Sequence, residues 1–294
     1  MAVATQGAEL AVGSSAALTL PWPIGAFVVG VTLFQYQFPN ASQHSVAEVA
    51  LSVSANMTSA NTIAVTPNGI MKDASGNYLD GANSLVIVGA LAWSQDDASV
   101  AEITVPGIAS GTASPAAQIP PGSAILASQA ILTGFDIVRP GNHHVQSIQA
   151  SVSSNLFSPP AASIRGMASL QDASGNVDTS ATVDGAYFCS YNIPEYELAT
   201  WIGATQTPVN TQSTETVTFA SAPSAVALFL TGFSMAYPQA QDQEVGFMVA
   251  GATKLTMTAT GASFIPQAAM ASGPLQSNPA VATGTVSLVA VGIP

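Results

Sequence analysis

One short motif occurs three times in this chain, at intervals of about a hundred residues. The segments read FQYQFP from Phe34, FDIVRP from Phe135 and FSMAYP from Phe233, so the phenylalanines are 101 and 98 residues apart. A second motif, DASGN, begins at Asp73 and recurs unchanged at Asp172, 99 residues later. Such internal similarity predicts three copies of one structural unit. A unique catalytic centre is not expected in a chain of this kind.

The sequence after each Phe–Pro motif is typical of a half-buried β-strand. A polar loop leads into a segment in which apolar and polar residues alternate, with Val49 and Leu51 in the first copy and Ile148, Ala150 and Val152 in the second. Alternation with a period of two indicates a strand with one buried face. Six or so such strands per copy, separated by turn residues, predict an antiparallel β-sandwich.

The DASGN motif is typical of a tight turn. Asp in the first position, followed by Gly and Asn, suits the backbone angles that such turns require. Asp, Ser and Asn at alternating positions also begin a calcium-binding loop, but the downstream bidentate Glu and the remaining oxygen ligands are missing here. We therefore predict a turn and no metal site. The third copy has Ala271–Pro274 (ASGP) at the corresponding place.

These patterns predict an all-β protein of three tandem antiparallel β-sandwich modules, each of about 70–100 residues. We expect the N-terminal arm to become ordered only on assembly, as an attachment or strand-exchange arm. The predicted boundaries are an N-terminal arm at 1–20, repeats at 21–105, 123–193 and 214–294, and linkers at 106–122 and 194–213.

The charge content limits the partners of the chain. Only 7% of the 294 residues are charged, and 16 Asp and Glu against 4 Lys and Arg give a net charge of −12. Without a basic patch, neither nucleic acid nor an anionic membrane is an expected partner. Because hydrophobic residues make up 48%, the chain can bury a large core while Ser, Thr, Asn and Gln provide its polar surface. This composition suits a β-rich protein that functions in an assembly.

Cysteine content and the N-terminus exclude further classes. A single cysteine, Cys189, excludes an internal disulfide and a Cys-rich zinc site, and its apolar neighbours predict a buried, inert thiol. Residues 1–15 contain no Lys or Arg and no continuous apolar segment, so we predict no signal peptide. No run of about 20 apolar residues predicts a transmembrane helix. Synthesis in the cytoplasm is expected.

Candidate catalytic groups are few. The carboxylate pairs are Asp96 with Asp97 and Glu195 with Glu197, and closeness in sequence does not place two carboxyls across a cleft. Nucleophile-elbow, phosphate-loop and zinc-protease motifs are missing. We therefore predict a non-enzyme with no catalytic residue, no cofactor and no metal.

Histidines and aromatic residues provide the candidates for ligand contact. The three histidines are His44, His143 and His144, and His44 aligns with His143 in the loop before the same strand. One aligned histidine per copy does not supply converging metal ligands. Tyr78 follows the first DASGN turn, where a ring can act as a stacking platform for a sugar. The candidate contacts are thus His143, His144 and Tyr78, although surface or packing roles also explain them.

The combination of a Phe-rich strand, a polar loop with His, an alternating strand, the DASGN turn and a final apolar strand resembles the small β-sandwich repeats of bacteriophage virion proteins. It is also loosely similar to the H-type lectin module, a six-stranded antiparallel sandwich that trimerises and binds sugars at its subunit edges. The resemblance extends over about 220 residues and rests on strand periodicity and one turn. It implies fold and trimer geometry, and it transfers no sugar-binding residue to this chain.

Three functional hypotheses follow. The first is a virion structural protein, as head decoration, head spike or tail-associated fibre, which assembles with capsid or tail proteins as a homo-oligomer such as a trimer. The second is a carbohydrate-binding adhesin or receptor-binding protein that contacts a host surface glycan. The third is a subunit of a cell-surface layer or filament, which the missing export signal disfavours.

Overall fold

The computed structural model describes residues 2–94, 100–118, 127–141, 143–157, 161–178, 180–190, 196–205, 213–238, 243–273 and 281–294. Within these ranges the protein is all-β and antiparallel, which confirms the predicted fold class. The described residues contain no α-helix, and hence no helix that could span a membrane; one short 3₁₀ turn occurs at Pro39–Ala41. The described strands are β1 Val3–Ala11, β2 Ala16–Thr19, β3 Ile24–Gln37, β4 Val46–Ser59, β5 Thr62–Asp73, β6 Leu85–Ser94, β7 Val100–Ala109, β8 Ala117–Gln118, β9 Ala127–Val138, β10 Ser147–Phe157, β11 Ala161–Gln171, β12 Ser180–Ser190, β13 Glu197–Thr205, β14 Glu215–Thr218, β15 Ala225–Ala236, β16 Phe247–Thr258, β17 Gly261–Ala271 and β18 Val281–Ile293.

Each sequence repeat contributes six described strands in the same order. The three Phe–Pro motifs end the third strand of each set, β3, β9 and β15, and the alternating segments form the fourth, β4, β10 and β16. The repeat in the sequence is therefore also a repeat of strands.

Three sheets result, and each takes three strands from one repeat and three from another. Sheet I has the order β1-β6-β3-β16-β17-β14, sheet II the order β7-β12-β9-β4-β5-β2, and sheet III the order β13-β18-β15-β10-β11-β8. Two residue pairs between β17 and β18 join sheets I and III. Because every sheet is shared, a count of three separate modules stays a prediction.

The shared sheets close the three repeats into a ring. β4 of repeat 1 pairs with β9 of repeat 2, β10 of repeat 2 with β15 of repeat 3, and β16 of repeat 3 with β3 of repeat 1. Each junction has the same length of five residue pairs and the same register, and one member of its last pair is a glycine. These last pairs are Gly134 with Ser52, Gly232 with Ser151, and Gly251 with Leu33.

The threonine two residues before each repeated phenylalanine forms a β-bulge. In the pairing of β3 with β6 the register passes from Val31 to Leu33 and omits Thr32. Thr133 and Thr231 are omitted in the same way in β9 and β15. A bulge adds a local bend and twist to its strand. Each third strand is thus bent just before its phenylalanine, at the point where pairing with the neighbouring repeat begins.

The three repeated phenylalanines meet in the interior. Ring centroids lie 5.5 Å apart for Phe34 and Phe135, 5.1 Å for Phe34 and Phe233, and 5.5 Å for Phe135 and Phe233. The rings are tilted or edge to face, with exposures of 0%, 1% and 4%, so they form one buried aromatic triangle. We call this the Phe triangle. The sequence motif therefore encodes the central contact of the ring.

A second layer of interior side chains lies on β3, β9 and β15, and its three members differ in size. The equivalent residues here are Gly30, Ile131 and Phe229, four positions before each phenylalanine of the Phe triangle. A Cβ atom on Gly30 would lie 2.7 Å from Ile131 Cδ1 and 2.9 Å from Phe229 Cδ1. The volume that repeat 1 lacks is therefore occupied by repeats 2 and 3.

The predicted arm and linkers contain regular structure. Residues 1–20 include β1, which pairs with β6 over nine residues, and β2, which pairs with β5. β1 is the first strand of repeat 1, as β7 and β13 are for repeats 2 and 3. The segments 106–122 and 194–213 include parts of β7, β8 and β13, with 119–122, 194–195 and 206–212 outside the described residues. Strands thus occupy parts of the segments whose Pro, Gly and Ser content suggested linkers.

Candidate functional site

The loops that follow the three Phe–Pro motifs meet at one end of the ring, which we call the loop end. It comprises the described residues of 38–47, 139–146 and 237–246 and the two DASGN turns. One backbone amide before each repeated proline is bonded to the neighbouring repeat, which fixes the loops against each other. The bonds join Phe38 N to Gly246 O at 3.0 Å, Arg139 N to Ala47 O at 2.8 Å, and Tyr237 N to Gln146 O at 2.9 Å.

The first DASGN turn is organised around the carboxylate of Asp73. Asp73 Oδ1 accepts hydrogen bonds from the amides of Ser75 and Asn77, at 2.9 and 2.8 Å. Asp73 Oδ2 accepts from Asn77 Nδ2 at 2.6 Å and lies 2.7 Å from His44 Nδ1. Burial alone would raise the pKa of Asp73, but the bonds from Asn77, His44 and Ser75 outweigh it and hold this pKa below its ordinary value. The tight turn is confirmed.

His44 is held on three sides. Its Nδ1 faces Asp73, its Nε2 lies 2.9 Å from the hydroxyl of Ser42, and its ring centroid is 4.2 Å from that of Phe38. His44 therefore fixes the loop of repeat 1 onto the turn of repeat 1. This is a structural role for the one histidine that was not a candidate for ligand contact.

The second DASGN turn has the same bonds and a different cation. Asp172 accepts from the amides of Ser174 and Asn176 and from Asn176 Nδ2, and its Oδ2 pairs with Arg139 Nη2. The bond from the Asn176 side chain, with Arg139 beside it, lowers the pKa of Asp172 to about 2 although burial opposes the change. Arg139 is only 3% exposed, so this pair is shielded from water.

Repeat 3 has no acidic turn residue. Tyr237 occupies the position of Arg139, and its hydroxyl has no hydrogen-bond partner in the described part of the chain. Burial raises the pKa of Tyr237. Of the predicted turn at 271–274, Pro274 lies outside the described residues.

The three predicted contact residues belong to two repeats: His143 and His144 lie at the loop end, and Tyr78 directly follows one of its turns. Tyr78 is 58% exposed and directly follows the first turn, next to Asn77. His144 is exposed, its Nε2 lies 4.0 Å from Glu244 Oε1, and its carbonyl accepts from Arg139 Nη1 at 3.5 Å. The His143 ring packs over Gly141, where a Cβ atom would be 2.9 Å from its Nε2. Their assignment as ligand contacts stays a prediction.

Arg139 was not identified by the sequence reasoning. The signal was present, because a chain with four Lys and Arg places one of them directly before a repeated proline. At the equivalent positions the other repeats have Phe38 and Tyr237, both buried. A buried cation at a position that is aromatic in the other two repeats indicates a partner carboxylate. Asp172, the first residue of the second DASGN turn, is that partner.

A separate acidic cavity of about 340 Å³ lies on sheet II, with Asp136 and Asp184 among its lining residues. Burial raises the pKa of Asp136, and the negative charges of Glu48 and Asp184 add to this effect. The positive charge of Lys72 acts in the opposite direction. A raised carboxyl pKa in a cavity is a feature of functional sites as well as of structural clusters. The residues equivalent to Asp136 in repeats 1 and 3 are Gln35 and Ser234, so the acidic group is not repeated.

The other residues with possible chemistry have structural partners. Glu197 accepts hydrogen bonds from the amides of Ala220 and Ser221, at 2.5 and 2.9 Å. Cys189 is fully buried in the core, as predicted. Among the described residues, no group of three or more His, Cys, Asp or Glu is placed to hold a metal ion. Asp96, Asp97 and Glu195 lie outside the described residues.

No protein-family model matches the chain, and no curated protein matches it either. We therefore infer the function from the geometry of the ring and from the chemistry of its loop end.

Proposed function

We propose that this chain is a non-enzymatic structural protein of a bacteriophage virion, as a head decoration or spike protein or as a component of a tail-associated fibre. The observation that carries the proposal is the closed ring of shared sheets around the Phe triangle. One chain supplies a complete threefold unit, and threefold rings are among the closed symmetries that protein assemblies adopt. The residues that recur serve this scaffold.

Three further features support a particle component. Three repeats in one chain supply the threefold arrangement that the H-type lectin resemblance implies for three subunits. The third and fourth strands pair between repeats, so each sheet has six strands and fewer free edges than separate three-stranded sheets would have, which suits a protein kept at high density in an assembly. Only four Lys and Arg are present, and Arg139 among them is buried, so few sites are open to trypsin-like proteases.

Binding to purified particles tests this proposal. Labelled protein is mixed with separated capsids and tails and sedimented, and gold-labelled antibody against it is applied to intact particles. We expect stoichiometric association with one fraction, and gold at one fixed position. A protein that sediments with no virion fraction and is missing from intact particles contradicts the proposal.

Glycan binding at the loop end is the second candidate. The observation that favours it is the exposed ring of Tyr78 beside fixed polar groups of the first turn, an arrangement that suits stacking on a sugar. Val177 provides a matched control, because it follows the second turn and is also 58% exposed. On a glycan array, Tyr78→Ala and His144→Ala should lose the signal that Val177→Ala retains. An array without binding, or equal binding by all variants, excludes this candidate.

A further inference from the structure

A groove of about 380 Å³ lies where repeat 1 meets repeat 3. Its floor is formed by Gly7 of β1 and Gly89 of β6, which are direct register partners. One wall is the start of β15 at 226–228, and the other is the segment 252–255 of β16. Glu9 and Lys254 add one charge of each sign to the lining.

The two equivalent places in the ring serve as internal controls for this floor. The partners that correspond to Gly7 and Gly89 are Thr104 and Ala186 in sheet II. In sheet III they are Thr200 and Val289. Strands of this fold therefore accept a threonine at the position of Gly7, and glycine there is not a requirement of the ring.

Packing explains Gly89 but not Gly7. A Cβ atom on Gly89 would lie 3.0 Å from Cε1 of Phe229, which covers it. A Cβ atom on Gly7 would contact only the carbonyl oxygen of Val88, at 3.1 Å, within its own sheet. Glycine inside a strand marks places where a ligand or another backbone approaches closely. The open side of Gly7 faces the groove.

The wall formed by β16 also departs from the other repeats. Its pairing with β17 has a register shift between Thr253 and Thr256, and Lys254 there adopts a left-handed backbone with a φ of 52°. The equivalent strand β10 pairs with β11 without interruption from Ser147 to Phe157. The irregularity places Lys254 and Leu255 in the groove lining.

The wall formed by β15 offers unpaired backbone at Val226. Among the described strands, β15 pairs with β10 only from Gly232 to Ala236, so its earlier residues pair with β18 alone. The carbonyl of Leu228 accepts a bond from the Thr32 hydroxyl at 2.5 Å, so it points away from β18. Because these directions alternate along a strand, the N–H and C=O of Val226 also point to the groove.

We propose that this groove binds an extended peptide segment of a partner protein, which adds as a strand to the edge of β15 at Val226. Strand addition supplies main-chain hydrogen bonds, and pockets for alternate side chains supply specificity. The open face of Gly7 admits the peptide backbone, while Glu9 and Lys254 favour a peptide that carries both a basic and an acidic residue. The proposal concerns a second site, away from the loop end, and does not depend on the virion assignment.

Panning with a library of random dodecapeptides displayed on filamentous phage tests the proposal on the intact protein. Enriched peptides are synthesised, and their affinities are measured by fluorescence anisotropy. We expect Gly7→Thr, which introduces the residue of repeats 2 and 3, to fold normally and to weaken binding at least about tenfold by filling the floor. Lys254→Ser should weaken peptides that carry an acidic residue, and Thr104→Ser at the equivalent place should change nothing.

Amide chemical shifts of labelled protein provide a measurement that does not depend on any variant. The peptide should shift the signals of Val226, Leu228 and Gly7 and leave Tyr78 and His144 unchanged. No enrichment above an empty surface, equal affinity for Gly7→Thr and native protein, or shifts confined to the loop end overturns the proposal. Binding of free monosaccharides at these same signals, without peptide binding, overturns it as well.

Discussion

The Phe triangle and the loop end are built from the same three repeats but treat equivalent positions differently. In the triangle the three positions carry the same residue and make the same contact. At the loop end the residue before the repeated proline is Phe38, Arg139 or Tyr237, and each is buried with different neighbours. The interior thus requires a common shape, whereas the loops tolerate different chemistry. Recognition specific to this protein is therefore expected at the loops and grooves.

The largest effect is expected from breaking the Phe triangle. Phe135→Ala removes a ring that contacts both other phenylalanines, and large-to-small changes of buried aromatics cost about 3–5 kcal/mol. Urea unfolding should show this loss in one transition, because all three repeats share the triangle. Met57→Ala, at an exposed position, is the control and should change stability by less than about 0.5 kcal/mol. A loss for Phe135→Ala as small as that of the control would show that the triangle is not a common core.

The next effect should separate the two DASGN turns. Arg139→Ala leaves Asp172 without its cation in a buried site, and breaking a buried pair lowers the free energy of unfolding by about 3–5 kcal/mol. We expect a smaller loss of about 2–3 kcal/mol here, because Asn176 and the turn amides still bind Asp172. His44→Ala should cost about 1 kcal/mol, since His44 is partly exposed and Asn77 remains bound to Asp73. Urea midpoints give both values. Equal losses would mean that the two turns are equivalent in energy as well as in shape.

A smaller effect should show how the repeats share volume. Gly30→Ala places a methyl group against Ile131 and Phe229, and overpacking costs about 1–3 kcal/mol. Phe229→Leu in the same chain should recover part of this loss, so the two changes should be non-additive in a double-mutant cycle. Additive losses would contradict the volume compensation between repeats 1 and 3.

The smallest effect is a difference in pH dependence between the two turns. The pKa of Asp172 is lowered from its ordinary value of 3.8 to about 2, so the stability that its carboxylate provides is complete above pH 3.8 and is lost as the pH falls towards 2. Asp73 has a lowered pKa for related reasons, without a permanent cation beside it. We therefore expect the urea midpoint to depend less on pH between pH 5 and pH 2 in both variants than in the native protein. This loss of pH dependence should be larger for Asp172→Asn than for Asp73→Asn. If the urea midpoint of Asp172→Asn depended more steeply on pH than that of Asp73→Asn, Asp73 and not Asp172 would be the carboxylate with the larger lowering of its pKa.

Much of the local structure was predictable from the chain. Alternation placed Val49, Leu51 and Ile148 on buried strand faces, and all three are buried. The DASGN letters predicted a turn, because Asp, Gly and Asn act through their own backbone angles and nearby amides. The loop before the alternating strand was also identified correctly as the place where His143 and His144 lie. These features depend on neighbours within a few residues, which a sequence displays directly.

The partners of Asp172 and of Gly7 were not predictable in the same way. Arg139 lies 33 residues from Asp172, and the groove beside Gly7 is completed by β15 and β16, more than two hundred residues away. No short-range pattern specifies such contacts. The segments 106–122 and 194–213 were interpreted as linkers because their composition is rich in Pro, Gly and Ser, whereas strand pairing with β12 and β18 gives parts of them regular structure.

The sequence by itself determined that this protein repeats, that its elements are strands, and which face of each strand is buried, since side-chain period and turn chemistry are local properties. Only the tertiary structure decided which strands become neighbours. It pairs the fourth strand of each repeat with the third strand of another, bends that strand at Thr32, Thr133 and Thr231, and brings the three phenylalanines together. The physical reason is that backbone hydrogen bonds carry no sequence identity. The choice of neighbour follows from closing a ring around a shared core.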